Sequence, residues 1–506
     1  MRDRVAADRS VDLSLVRRSP RWVVPVASSG LAGLLMFQAW SYVYRLPLSL
    51  GPRVVLEPWL LRQGFILYEQ IADLHTPLLP LILSALLPLF PDALTCAKAT
   101  LVVLISLSTL LTFLMGRRTG GWLAGLWAAW FFVTWSPTIG FGKLWHETLL
   151  APLYLLLLLV YDPAAPRRPA WSSLLAGLLG GTAVLVKQHA AAVLAALVLW
   201  NAFTSWRSRR SIPVVLRDAV LLVVAALLPV LALAIGLRAR AGTLTGFWHW
   251  TVTYGLTSGY RSMAALGPDL PQVGMVVSSC LLLPAAILCL ADLKRRGSAL
   301  WLRLAWGLTV LVASSLTAYP RFHLFHLQAA LPVLAWLSSM TLAHALHREN
   351  AGRLFATGTA LALSGFWLVT AGAAYRPALN VNQPRPIWEY STLVPLADEV
   401  RDAVGASSRV YIYPNDEATA NLYYLLRCLP PRFWVFDYTW YAEARIQAKV
   451  VHALQEDPPD WVIRLPGGLD APGEASEIAQ YLQEHYRRET RLRWEQGEVW
   501  LLRRTF

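Results

Sequence analysis

The sequence predicts an all-α polytopic membrane bundle of about eleven transmembrane helices plus juxtamembrane helices, followed by a small C-terminal extracytoplasmic α/β domain. Three observations predict it. Apolar runs recur at close to spanning length, Arg and Lys gather in alternate connections between them, and after residue 375 the pattern turns to short strand-like and helical runs. Composition agrees, since 56% hydrophobic against 15% charged residues belongs to membrane proteins rather than soluble globules. The formal net charge of +14 does not argue for nucleic acid, because the basic residues lie in short loops, where they set topology.

Taken in order, residues 1–21 form a basic cytoplasmic N-terminus with Arg2, Arg4, Arg9, Arg17, Arg18 and Arg21, and no small-residue cleavage site follows it. The transmembrane part is 22–375, with apolar runs near 22–44, 93–115, 121–137, 145–161, 171–186, 189–204, 213–236, 272–291, 299–318, 327–346 and 354–375. Between the first two runs lies an outer loop, 45–92, whose second half from Pro77 to Phe90 is apolar but too short to span. Prolines at 77, 80, 88 and 91 bracket and interrupt that half, which suits a juxtamembrane helix. The charges agree. Arg117-Arg118, Arg167-Arg168, Arg207 with Arg209-Arg210, Lys294-Arg295-Arg296 and Arg348 with Arg353 all fall on the N-terminal, cytoplasmic side only if 77–90 does not cross.

The extracytoplasmic domain, 376–506, alternates strand-like runs (Arg409–Tyr413, Phe433–Phe436, Trp461–Arg464) with helical ones (Glu417–Arg427, Ala442–Leu454, Glu474–His485). It ends in a hairpin of Glu489–Arg493 and Val499–Arg504. Cysteines 96, 280, 289 and 428 have neither metal-type spacing nor a disulfide framework.

With the basic loops inside, the outer face collects the chemistry. It receives Glu57, Glu69, Asp73 and His75, then His146-Glu147, Lys187-Gln188-His189, Trp248-His249-Trp250, Arg261, and Tyr319 to His326. Carboxylates at the mouth of a bundle suit general-base work on a hydroxyl, although a loop acid is more often simply solvated. Glu147 differs, since an ionisable residue one step into an apolar helix faces the interior or water. Lys187 interrupts an apolar run, as a phosphate partner or as an interfacial lysine that snorkels. His323 and His326, three apart, share a helix face, but no third ligand is evident locally, so no metal and no cofactor are expected.

These residues resemble the GT-C class of membrane glycosyltransferases, which take sugar from a polyprenyl phosphate. The resemblance rests on Gly64-Phe-Ile-Leu-Tyr68 and Asp73-Leu-His75-Thr-Pro77-Leu in the loop after the first span. It extends to Glu147 at the head of a later span, to Lys187-Gln188, and to the tyrosine-proline and basic cluster from Tyr319 to His326. It implies an inverting transferase at the outer face of the cytoplasmic membrane, with a polyprenyl-phosphate sugar donor and a lipid, glycan or protein acceptor. Glu57 or Asp73 would be the base, and Lys187, Arg321 and Arg261 the donor-phosphate partners. Glu147 would orient the acceptor or pair with His146, and Tyr68, His75, His146, Gln188, Tyr319 and His323 would bind substrate. One position departs from the class: where it carries an aspartate just after the first span, this chain has Leu50-Gly51, so another carboxylate takes the role or activity is lost.

Two rivals stand beside this reading. A lipid or oligosaccharide transporter would favour ionisable groups near mid-span, whereas Lys98, Arg217, Asp218 and Arg303 all sit near span ends. A non-catalytic sensor or scaffold with an outer ligand-binding domain accommodates the missing aspartate.

Overall fold

The computed structural model describes residues 20–140, 142–165, 169–208, 211–239, 244–254, 286–295, 297–316, 323–346, 388–405, 409–414, 419–435, 443–466, 476–495 and 497–505. Of the expected spans, 354–375 and most of 272–291 lie outside these residues. Among the described residues, four helices are long and apolar enough to cross a membrane: Val23–Tyr44, Ala93–Gly120, Gln188–Arg207 and Ile212–Arg238. Shorter apolar helices include His146–Val160, Ala170–Val186, Leu300–Ser315 and Leu331–His344. The chain is thus a multi-pass membrane protein. It divides into two compact units, one of Met1–Leu46, Leu101–Ala232 and Ala264–Gln383, the other of Pro47–Thr100, Leu233–Met263 and Pro384–Phe506.

In the first unit the helix Trp122–Gly140 packs against both Val23–Tyr44 and Leu331–Leu346. Its inner positions, among them Phe131, Phe132 and Trp135, are buried. Without a hydrophobic drive between helices in lipid, association relies on close packing and on shared polar groups. Both are present. A Cβ on Gly177 would stand 2.1 Å from the Leu222 carbonyl oxygen, and one on Gly181 would stand 2.0 Å from that of Ala226. These two glycines, four apart on Ala170–Val186, let its backbone touch Ile212–Arg238. Buried hydroxyls supply the polar part: the Tyr42 hydroxyl lies 3.1 Å from that of Ser136, to which Gln328 Nε2 donates at 3.3 Å.

A half-buried ion cluster sits at one helix end. Asp162, just past His146–Val160, accepts from Arg303 at 2.8 and 3.1 Å and from Arg118 at 3.2 Å. The sequence break at Lys187 is a real break. Helix Ala170–Val186 stops there because Lys187 is extended (φ −155°, ψ 129°), a 3-10 turn follows over Gln188–Ala190, and a new helix runs from Ala191 to Arg207.

The second unit combines the loop after Val23–Tyr44 with the C-terminal residues. Its helix Leu78–Leu86, extended by a 3-10 turn Leu87–Leu89, is about 18 Å long at about 1.5 Å per residue. That is well short of a hydrocarbon core of about 30 Å, so it is too short to cross. The C-terminal part has a four-stranded sheet of β1 Val410–Tyr413, β2 Trp461–Arg464, β3 Tyr486–Trp494 and β4 Gly497–Arg504, in the order β1-β2-β4-β3. β1 and β2 are parallel and β4 is antiparallel to both β2 and β3. A parallel pair needs a crossover, and Leu422–Leu426 with Ala444–Glu456 lie on it. Helices Leu393–Val404 and Glu477–His485 present buried Leu396, Val400, Ile478 and Leu482 on one face each, as their amphipathic spacing requires.

One expected strand, Phe433–Phe436, is not in the sheet. Trp434 instead makes an isolated bridge to Ile71, accepting from Ala72 N–H at 3.0 Å and donating to the Gln70 carbonyl at 2.7 Å; Phe436 lies outside the described residues. The loop is stitched to the C-terminal residues at further points. Asn421 Nδ2 donates to the Leu50 carbonyl at 3.1 Å, and Ala93 N–H donates to the Tyr424 hydroxyl at 3.0 Å.

Candidate active site

Among the described residues, each unit holds a cluster of buried charged side chains. In the second unit the cluster grows from the turn Gly51–Val55, which leads into the helix Leu56–Arg62. Arg53 lies in that turn, and Glu57 opens the helix with its N–H on the Pro52 carbonyl at 2.9 Å. The chain then runs through Gly64 (φ +84°) and Tyr68 (φ +71°) to Asp73. A positive φ on tyrosine is costly, of order 1–3 kcal/mol, and persists only where the surroundings fix it. Here they do. The Tyr68 hydroxyl donates to the His75 carbonyl at 2.7 Å, its own carbonyl accepts from Trp250 Nε1 at 3.2 Å, and its ring meets Phe247 edge-on at 5.3 Å.

Asp73 is the hub. Its Oδ1 accepts from Arg53 Nε at 3.0 Å and from the His75 backbone N–H at 3.1 Å, and lies 3.1 Å from His75 Nδ1. Its Oδ2 is buried and has no hydrogen-bond partner among the described residues. The carboxylate is therefore anchored through one oxygen and leaves the other to accept a proton.

Glu57, equally buried, has neither oxygen hydrogen-bonded among the described residues. Burial pushes its carboxyl well above the usual carboxylate range, repulsion from Asp73 adds to this, and Arg53 opposes it. Glu57 is thereby biased toward its neutral form beside the Asp73 carboxyl.

In the first unit Glu147, Lys187 and His326 converge. Glu147 Oε1 accepts from Lys187 Nζ in a close ion pair and lies 2.6 Å from His326 Nδ1; Lys187 Nζ is 3.2 Å from the same nitrogen. Glu147 is fully buried and Lys187 nearly so. Three elements position them: the first turn of His146–Val160, the break after Val186, and the 3-10 segment Leu324–Ala329. Thr148 fixes the first of these, its hydroxyl accepting from Trp145 N–H at 3.3 Å and donating to the Lys143 carbonyl at 3.1 Å. His326 lies outside the spanning segments, and its pKa is lowered from the usual 6.5, first by burial and also by Lys187, while Glu147 acts against this.

The fold has counterparts among solved structures. ArnT of Cupriavidus metallidurans bound to undecaprenyl phosphate aligns with a TM-score of 0.61 at 12% identity, over 95% of this chain and 98% of that one. The archaeal oligosaccharyltransferase AglB of Archaeoglobus fulgidus, in complex with an inhibitory peptide and a dolichol-phosphate, aligns with a TM-score of 0.51 at 12% identity, over 88% and 69%. The arabinofuranosyltransferase AftD from Mycobacteria gives 0.51 at 13% identity, over 97% of this chain and 40% of its own. The chain has the GT-C glycosyltransferase fold. No family model matches the sequence, and no curated protein matches it.

Leu50, which follows the first span, is fully buried, and its carbonyl accepts from Asn421 Nδ2. Of the residues singled out from sequence, Glu57, Tyr68, Asp73 and His75 come together in one unit, and Glu147 and Lys187 in the other. The observed partners of Glu147 are Lys187 and His326, while His146 packs its ring edge-on against Trp145 at 5.3 Å. Gln188 opens the 3-10 turn after Lys187, and His323 precedes the 3-10 segment, stacked on Phe325 at 5.3 Å. Arg261, Tyr319 and Arg321 lie outside the described residues.

Two participants were missed in the sequence as members of these clusters. Arg53 reads as an ordinary loop cation, and its only signal is the Gly-Pro turn that precedes it. His326 stands out only as half of a His pair with His323, whereas its partner is a carboxylate 179 residues away.

Proposed function

We propose that this chain is an inverting glycosyltransferase that moves a sugar from a polyprenyl-phosphate donor to an acceptor hydroxyl at the outer face of the cytoplasmic membrane. The observation that carries the proposal is Asp73, a buried carboxylate with three contacts on Oδ1 and an Oδ2 without a hydrogen-bond partner among the described residues, on the loop that carries the sequence resemblance. Asp73 takes the proton of the acceptor hydroxyl. The hydroxyl oxygen attacks the anomeric carbon as the bond to the phosphate oxygen breaks, and polyprenyl phosphate leaves with inversion. Arg53 and His75 orient the carboxylate, and Glu57, biased toward its neutral form by burial, donates a hydrogen bond to a substrate oxygen. The departing phosphate needs cations rather than an acid.

Solved structures with this fold support the donor class. The ArnT structure contains undecaprenyl phosphate and the AglB complex contains a dolichol-phosphate. The test is to incubate the purified full chain with polyprenyl-phosphate sugars and hydroxyl acceptors and to follow release of polyprenyl phosphate and the anomeric configuration of the product. Release with an inverted product is expected. A retained configuration would remove Asp73 from the role of base, and no release from any donor would favour the second reading. That reading, a non-catalytic sensor, draws on Leu50 in place of the acid.

A further inference from the structure

We propose that the first unit carries a site for an anionic phospholipid at the end of the Ala191–Arg207 helix remote from Lys187. A groove of about 710 Å³ opens between this helix and Ile212–Arg238, lined by Ala202, Ser205, Trp206, Arg207, Ile212 and Leu216 among others. The segment Gln188–Arg207 has 20 residues, about 30 Å of helix, so the groove and Lys187 are separated by roughly a hydrocarbon thickness.

Three observations choose the occupant. The groove opens onto apolar, exposed surface: Trp206 is 79% exposed, Ile212 74% and Leu216 58%, and only 22% of the apolar window of Ile212–Arg238 is buried. Such a surface on a membrane protein faces acyl chains, with Trp206 of a type suited to the headgroup boundary. Within the groove, Ser205 is 1% exposed and its hydroxyl has no hydrogen-bond partner among the described residues. A buried hydroxyl without a partner costs free energy that a ligand oxygen would recover.

The third observation is charge. The Arg207 guanidinium stands 4.9 Å above the Trp301 ring and Lys294 Nζ 5.8 Å from the same ring. Two cations thus share one aromatic ring, and one of them, Arg207, lines the groove. A ligand with acyl chains for the apolar wall, an ester or phosphate oxygen for Ser205 and a net negative headgroup for Arg207 is an anionic phospholipid. A zwitterionic lipid satisfies the first two requirements and not the third.

The experiment is native mass spectrometry of the delipidated full chain with dioleoyl phosphatidylglycerol, dioleoyl phosphatidylcholine and inorganic phosphate as probes. The parental protein should retain phosphatidylglycerol over phosphatidylcholine by about fivefold, the worth of one basic residue near an anionic headgroup. Arg207→Ala should erase that preference, Ser205→Ala should shorten retention of both lipids, and Arg238→Ala, at the far end of Ile212–Arg238, should change nothing. Equal retention of the two lipids by the parent, or an undiminished preference in Arg207→Ala, would overturn the site. Displacement of phosphatidylglycerol by millimolar inorganic phosphate would overturn the lipid assignment in favour of a free-anion site.

Discussion

Replacing Lys187 by methionine removes the cation from a cluster whose carboxylate, Glu147, is fully buried. Breaking a buried pair from one side typically costs about 3–5 kcal/mol, because an uncompensated charge remains. The structure places this case toward the lower end, since His326 stays 2.6 Å from the same oxygen and can take up a proton. That gives the perturbation a sign as well as a size. In the parent, burial and Lys187 lower the His326 pKa below its usual 6.5, so the unfolded chain binds the proton more readily and stability falls as pH drops through that value. In Lys187→Met the lysine's repulsion is gone and the pull of Glu147 remains, which moves the folded pKa upward. Stability gained from protonated His326 is then present at low pH and lost as pH rises.

The assay is thermal unfolding in detergent between pH 5.5 and 8 for the parent, Lys187→Met, and Lys187→Met with Glu147→Gln. The single variant should be destabilised most at pH 8, and the double variant should recover much of the loss at that pH. An unchanged melting temperature in Lys187→Met at pH 8, or a loss that grows toward low pH, would refute the reasoning.

Two further expectations concern the loop and the helix packing. Glu57→Gln copies a neutral carboxyl, so the variant should gain stability over the parent as pH rises above the ordinary carboxylate value of 4.5, where the parent must either keep or lose a buried proton. Melting curves at pH 5 and pH 8 check this, and a larger advantage at pH 5 would contradict it. Gly181→Leu forces a side chain against the Ala226 carbonyl, where even a Cβ would stand at 2.0 Å, and should cost at least the 1–3 kcal/mol typical of overpacking. An unaltered melting temperature would mean the two helices do not touch at that glycine.

What was legible in the sequence follows from how each feature is encoded. Helix breaks announce themselves locally: Lys187-Gln188-His189 in an apolar run marks the turn at Gln188–Ala190, and Trp461–Arg464 is β2 residue for residue. The terminal hairpin was also legible, though β3 starts at Tyr486, three residues earlier than the polar alternation suggests. The run at Phe433–Phe436 looked like a strand because it is apolar and flanked by proline, yet its hydrogen bonds go to Gln70 and Ala72, a pairing more than 350 residues apart in sequence. The carboxylates of the site were visible as residue types in the right segments. Their partners were not, because a 20-residue separation between Arg53 and Asp73, or 179 between Glu147 and His326, leaves no periodic trace.

The account stands most directly on Asp73, and the measurement is the rate of sugar transfer by Asp73→Asn beside Glu57→Gln, with donor binding measured in parallel. A base acts on the acceptor proton in the transition state, so its loss falls on turnover rather than on donor affinity. Asp73→Asn should therefore lose about a hundred- to ten-thousand-fold in turnover while binding the polyprenyl-phosphate sugar nearly as the parent does. Glu57→Gln, which keeps a neutral hydrogen-bonding group, should retain most of its activity. Transfer at the parental rate by Asp73→Asn would contradict the account, whatever Glu57→Gln does.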